Sequence, residues 1–152
     1  MSKGTVSGLD DHLGYWLRFV SNHVTHAFTQ KVEARGVTVA EWVLLRELYH
    51  SEDARPGDLS GTLGLTRGAV SKLVERLLRK GLLTRTQRAD DRRSQVVELT
   101  RKGRKLVPEL ATLADRNDDE FFGHLTSDQK SVLTECLQDM VRRHGWKDLP
   151  ID

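Results

Sequence analysis

The chain has 152 residues, enough for one ordinary domain or two very small ones, and is 38% hydrophobic and 30% charged. That balance suits long solvated helices better than a compact sandwich. No run approaches the roughly 18 apolar residues of a membrane span. Met-Ser-Lys-Gly opens without a signal peptide's apolar stretch, and a lone cysteine, Cys136, excludes internal disulfides and Cys-based zinc sites. A soluble, cytoplasmic protein with a net charge of only +2 is expected.

The first element runs from about Leu9 to Arg35, where Leu13, Trp16, Leu17, Val20, Val24, Ala27, Phe28, Lys31 and Val32 recur at helical spacing until Gly36. Thr38-Val39-Ala40-Glu41 reads as a capping box that opens a second helix to about His50, with Trp42, Leu45, Leu48 and Tyr49 inward. After a polar, loop-like Ser51–Arg55 stretch, Pro56 suits the first turn of a short helix through Leu63. Gly64 closes that helix and Thr66 caps a fourth, which runs to Lys80 on an inward face of Val70, Leu73, Val74, Leu77 and Leu78. Gly81 stops it in the left-handed conformation.

Two short extended runs follow, Leu82–Arg88 and Ser94–Leu99, joined by the charged tip Ala89-Asp90-Asp91-Arg92-Arg93. Thr100 opens a long helix, and Pro108 inside it predicts a kink or a break. Thr126-Ser127-Asp128-Gln129 is a second capping box. It leads a final helix with Val132, Leu133, Cys136, Leu137, Met140 and Val141 on its apolar face, among which Cys136 reads as a small, inert, buried thiol.

Charge is segregated along this order. Residues 67–105 carry 13 Lys and Arg against four acids, or +9, which leaves −7 for the rest. A basic block in an acidic molecule is the footprint of a polyanion-binding surface. Within it, the fourth helix turns Thr66, Arg67, Gly68, Ser71, Lys72, Glu75, Arg76 and Arg79 away from its aliphatic side. Short residues near the N-terminus permit approach to base edges, Arg67 can pair two-fold with a guanine edge, and the cations behind can neutralise phosphate. An ordinary amphipathic surface helix would show the same two faces. The hairpin tip tips the balance: Arg92 and Arg93 beside Asp90 and Asp91 suit insertion in a narrow minor groove, where arginine gains from the enhanced negative potential. The order of elements is that of a winged helix-turn-helix, mainly α with a small β-hairpin wing.

The run Pro56-Gly57-Asp58-Leu59-Ser60-Gly61-Thr62-Leu63-Gly64-Leu65-Thr66-Arg67-Gly68-Ala69-Val70-Ser71-Lys72-Leu73-Val74-Glu75-Arg76-Leu77 resembles the DNA-binding helices of the MarR family of bacterial regulators. Lys80-Gly81-Leu82-Leu83-Thr84-Arg85, the wing Asp91-Arg92-Arg93-Ser94 and Val96-Val97-Glu98-Leu99-Thr100-Arg101-Lys102-Gly103 extend the likeness to roughly residues 10–145. The resemblance implies a homodimer with intertwined N- and C-terminal helices, residues 9–35 and 101–145, flanking a winged DNA-binding domain, 38–100. It further implies Arg67, Ser71 and Lys72 in the major groove, Arg93 braced by Asp91 in the minor groove, and repression as the default outcome. The residues agree on self-association, because Leu106, Leu110, Leu113, Phe121, Phe122 and the final helix offer more apolar surface than so small a winged domain covers. Two-fold symmetry predicts a pseudo-palindromic operator with half-sites ~10 bp apart.

Members of that family respond to small phenolic or carboxylate ligands. His12, Tyr15, Trp16, Arg18 and Phe19, with Trp42, offer aromatic walls and a cation for such an effector; the plainer account is core packing of Trp16 and Trp42 beside an exposed Arg18. A peroxide-sensing branch uses a cysteine near the N-terminus, which this sequence lacks. His23 and His26 lie one helical turn apart with no third metal ligand evident, so no metal or cofactor is expected. No catalytic motif is present, and Gly61-Thr62-Leu63-Gly64 follows no strand, so an enzyme is not expected. The competing class is a winged-helix adaptor that binds protein without specific DNA recognition.

Overall fold

A computed structural model describes residues 5–51, 54–87 and 95–147. After a single 3-10 turn at Leu9–Asp11 the elements are α1 (Leu13–Glu33), α2 (Val39–His50), α3 (Pro56–Leu63), α4 (Arg67–Arg79), β1 (Leu83–Gln87), β2 (Gln95–Leu99), α5 (Arg101–Phe122) and α6 (Ser127–His144). The strands pair antiparallel, with Leu83 opposite Leu99 and Gln87 opposite Gln95.

Local chemistry explains the boundaries. Thr38 Oγ1 accepts the Glu41 N–H at 3.1 Å while Glu41 Oε1 accepts the Thr38 N–H at 3.3 Å, so the capping box of α2 is formed in both directions. Thr126 and Gln129 do the same for α6, at 2.9 and 3.1 Å. Pro56 occupies the first turn of α3. Gly64, at φ 65°, ends α3 in the left-handed region, and Thr66 then caps α4 by accepting the Ala69 N–H at 3.1 Å.

The core lies between α1, α2, α3, α4, the hairpin and the first half of α5, and it includes Val32, Leu44, Leu45, Leu48, Leu59, Val70, Leu73, Val74, Leu77, Val97, Val107 and Leu110. Trp42 is 8% exposed and belongs to this core. Asn117, 4% exposed, fixes α5 on α1: its side-chain NH2 donates to Val24 O at 3.2 Å and its Oδ1 accepts from Lys31 at 2.9 Å.

Three expectations are corrected. Pro108 neither breaks α5 nor ends it. The proline is exposed, so the carbonyl it leaves unpaired can be hydrated, and burial of Val107 and Leu110 on either side of it holds the helix in place. Second, the loop-like Ser51–Arg55 stretch contributes a single bridge, Ala54 to Val97, with the Val97 N–H donating to Ala54 O at 3.0 Å. One bridging residue leaves no periodicity to read. Third, Cys136 is exposed, because α6 has no extended packing interface with its own chain and its apolar face is uncovered.

Gly103 marks a tight junction, where α5 leaves the hairpin. Thr100 donates its Oγ1–H to Gly81 O at 2.7 Å, and the Thr100 N–H reaches Leu82 O at 3.0 Å. A Cβ on Gly103 would press into that same Leu82 carbonyl, closer than real side chains approach backbone. Gly103→Ala is therefore expected to lower unfolding free energy by about 2 kcal/mol in urea denaturation, as overpacking does elsewhere. Gly57→Ala, whose added Cβ meets nothing within 4 Å, is the matched control.

Candidate nucleic-acid interface

Helix α4 is amphipathic for a simple reason: Val70, Leu73, Val74 and Leu77 are buried, and the residues between them face outward. Arg67, Gly68, Ser71 and Lys72 are exposed along its N-terminal half. None of their side chains makes a hydrogen bond or ion pair with another described residue, so two cations and a hydroxyl are free to engage a ligand. Thr66 is exposed too, but its hydroxyl oxygen is spent on the cap.

The C-terminal half of α4 is tied down instead. Arg76 donates from Nη2 to Thr38 Oγ1 at 3.2 Å and to Glu41 Oε1 at 3.3 Å. Arg76, read in the sequence as a phosphate-facing cation, is turned back onto α2. Lys80 donates to both Glu41 oxygens, at 2.9 and 2.8 Å, and to Gly36 O at 2.9 Å. Glu75 binds Arg85 of β1 at 2.8 Å, which ties the helix to the hairpin. Asp91, Arg92 and Arg93 lie outside the described residues.

Glu41 is the group the sequence reading missed as anything beyond a cap. Its side chain is 1% exposed. Burial alone would push its carboxyl up, but the hydrogen bonds and charge of Lys80, with the backbone N–H and side chain of Thr38, outweigh that and hold it below the usual carboxylate value. The only sequence signal was an acid at a position inside an otherwise buried run, Trp42, Leu44 and Leu45.

The aromatic residues of α1 form a ridge rather than a pocket. Tyr15, Trp16, Phe19 and His23 follow one another with ring centroids 5.0–6.5 Å apart between neighbours in contact. Trp16 is half exposed, and its indole N–H donates to Asp10 O at 2.9 Å. His12 precedes α1 with its Nδ1 turned back to 3.0 Å from Gly8 O, and Arg18 is exposed. The expected ligand set is thus divided, with Trp42 in the core and the others on the surface, and neither described cavity is lined by them. Among the described residues no group of His, Cys, Asp or Glu is arranged to hold a metal, and no helix is long and apolar enough to cross a membrane.

Helix, left-handed glycine turn, outward-facing helix and hairpin define a winged helix-turn-helix protein. Residues 37–95 match the MarR family. The HTH-type transcriptional regulator SarZ of Staphylococcus saprophyticus is 25% identical over 136 residues, 90% of this chain and 92% of the relative. The structure of Staphylococcus aureus MepR bound to DNA superposes with a TM-score of 0.77 at 25% identity, covering 87% of this chain and 98% of that one. CouR of Rhodococcus jostii, bound to p-coumaroyl-CoA, shares the fold at a TM-score of 0.73 and 23% identity over 89% and 95% of the two chains. The MarR-family match thus spans the second helix through the hairpin, and the relatives named are transcriptional regulators.

Replacing Glu41 with glutamine removes the charge that Lys80 and Arg76 share. We expect Glu41→Gln to cost about 2 kcal/mol in urea denaturation at neutral pH, less than a fully buried pair because both cations are partly hydrated. Since the folded-state pKa is depressed, this stabilisation is complete above the ordinary carboxylate range and is withdrawn as the pH falls through the depressed folded value. The difference between native chain and variant should therefore narrow on acidification.

Proposed function

We propose that the chain is a sequence-specific transcriptional repressor that binds a pseudo-palindromic operator in the cytoplasm as a homodimer and is released by a small aromatic or carboxylate effector. The observation that carries this reading is the N-terminal face of α4, where Arg67, Gly68, Ser71 and Lys72 stand exposed and unengaged on a helix immobilised from behind. Arg67 and Ser71 read base edges, Lys72 and the Thr66 backbone position the helix on phosphate, and Arg92 and Arg93, with Asp91 as brace, enter the minor groove from the wing. Arg76 acts through Glu41 as a positioning residue.

Dimerisation rests on a second observation. Leu13, Trp16, Leu17, Phe19 and Val20 of α1 and Val132, Leu133, Leu137, Met140 and Val141 of α6 are all at least 40% exposed in the single chain. Apolar surface on this scale marks an interface. Burying it against a second copy places residues 9–35 and 101–145 in the dimer and leaves 38–100 as the DNA-binding unit.

Fluorescence anisotropy with the duplex upstream of its own gene tests the DNA reading. Log affinity should fall linearly with log salt, and a scrambled duplex should bind more weakly. Arg67→Ala should cost about 1–3 kcal/mol on the native duplex and relax the base preference, and Arg93→Ala should weaken binding without dissociating the dimer. Salt-independent binding, equal for both duplexes, would return the chain to the adaptor class.

Light scattering tests the dimer: the native chain should have twice the mass of one copy, and Leu137→Asp, which places a charge on the exposed face of α6, should yield monomers that remain helical by circular dichroism.

A further inference from the structure

The inward face of α5 follows a seam spaced by four and three residues: Gly103, Val107, Leu110, Ala114, Asn117 and Phe121. Asn117 is its one polar member and the last buried residue of the helix. Its NH2 donates to Val24 O at 3.2 Å, and its Oδ1 accepts from the Lys31 ammonium at 2.9 Å. That ammonium also pairs with Glu120 at 2.7 Å. With Arg35 and Glu109 at 2.9 Å, these are the described side-chain bonds that join α1 to α5. The partners run in opposite order along the two helices, which therefore lie antiparallel.

Burial alone would be served by a leucine at position 117. Taking an amide and an ammonium out of water offsets much of what their bonds return, so stability does not require them. What they add is register. A leucine packs nearly as well after a small slide, whereas an amide that meets Val24 O and Lys31 together does so at one setting, as a seam asparagine does in a coiled coil. Register has consequences because of what the two helices carry. Val107, Leu110 and Val32 pack one end of the pair into the winged lobe. The other end bears the exposed apolar residues of α1 and leads through α5 into α6. The lobe shifts against that end when α5 slides or turns on α1. A slide of one residue's rise, about 1.5 Å, changes the separation of two symmetry-related lobes by up to roughly 3 Å, close to a base-pair step of ~3.4 Å. We propose that Asn117 and Lys31 are positioning residues that set the distance between the two α4 helices of the dimer, and so the half-site spacing the protein selects. The choice of spacing rests on the DNA-binding homodimer reading above, whereas the fixed distance rests on the dimer alone.

The test uses the intact chain and two readouts. The first is anisotropy on the upstream duplex and on versions with one base pair inserted or removed at the centre of its footprint. The native chain should bind the altered spacings about tenfold more weakly. Asn117→Leu should stay helical by circular dichroism and dimeric by light scattering, yet discriminate between spacings by about threefold or less. The second readout is the distance between spin labels at Gly61→Cys in a Cys136→Ser background, measured by electron–electron resonance. Gly61 is exposed on α3, and a Cβ there meets nothing within 4 Å. One narrow distance is expected for the native seam, and a broadened or displaced one for Asn117→Leu. Lys31→Met, which keeps the apolar stem and removes the ammonium, should act in the same direction and decides the matter should Asn117→Leu fail to fold. Unchanged distance and unchanged spacing preference overturn the proposal. So does an equal loss of affinity at every spacing with the distance unmoved, which would make Asn117 a stability residue only. A native chain that is monomeric by light scattering refutes the dimer and the proposal with it. A native dimer indifferent to duplex sequence refutes the regulator reading and the choice of spacing, and leaves the label distance to judge the positioning role.

Discussion

The winged lobe depends on one buried carboxylate. The apolar residues that seat α4, Val70, Leu73, Val74 and Leu77, supply a non-directional attraction that a small slide or rotation of the helix would barely alter. Glu41 removes that freedom. It receives the Thr38 N–H from its own helix, Lys80 and Arg76 from α4, and Lys80 in turn reaches Gly36 O at the corner between α1 and α2. Three segments meet at one charge. Because removing two charges from water offsets much of what their attraction returns, such a cluster contributes more to the choice of a single geometry than to net stability. That choice also fixes where Arg67 and Ser71 of the same helix stand.

The same division recurs at α5. Val107 and Leu110 supply the burial, while Asn117, donating to Val24 O and accepting from Lys31, sets where along α1 the helix rests. Lys31 is completed by Glu120 at 2.7 Å. Beyond Glu120 the described side chains make no directed bond between elements, and α6, which carries its own caps at both ends, Thr126 and Gly145, leaves most of its apolar face exposed. A helix so well terminated and so poorly covered is finished as a helix and unfinished as a packing surface. The aromatic ridge of α1 shares that condition, which is why residues that read as pocket walls stand half exposed.

What the sequence disclosed and what it withheld follow the range of the forces involved. Caps, the left-handed glycines and the Pro56 start act over three or four residues, and every one of them sits where its residue type indicated. Helical periodicity located α4 and its two faces for the same reason. The break that Pro108 suggested is absent, because its local cost was legible and the burial of Val107 and Leu110 that offsets it was not. Glu41 meets Lys80 across 39 positions and Arg76 across 35. Nothing in the order of residues announces such a meeting, since a capping glutamate needs no second partner. The cavity between Arg35, Lys80 and Lys105 was hidden likewise, being assembled from three separate helix ends.

Those long-range partners also change the meaning of the charge count. A +9 segment reads as one continuous surface only if its cations are free, and several are not. Arg76 and Lys80 are engaged by Glu41, an acid outside the segment, while Arg85 is engaged by Glu75 within it. Lys102 and Lys105 turn to the cavity beneath α4. On the described part of α4 the unengaged cations facing outward are few, Arg67 and Lys72 chief among them, and they lie at the N-terminal end, where the helix dipole adds to their field and draws phosphate. The block is therefore divided by position: some cations stand outward and unengaged, some hold the helix that carries them, and some line a cavity. Lys80 belongs to the last two groups at once, because the ammonium that holds Glu41 also lines that cavity.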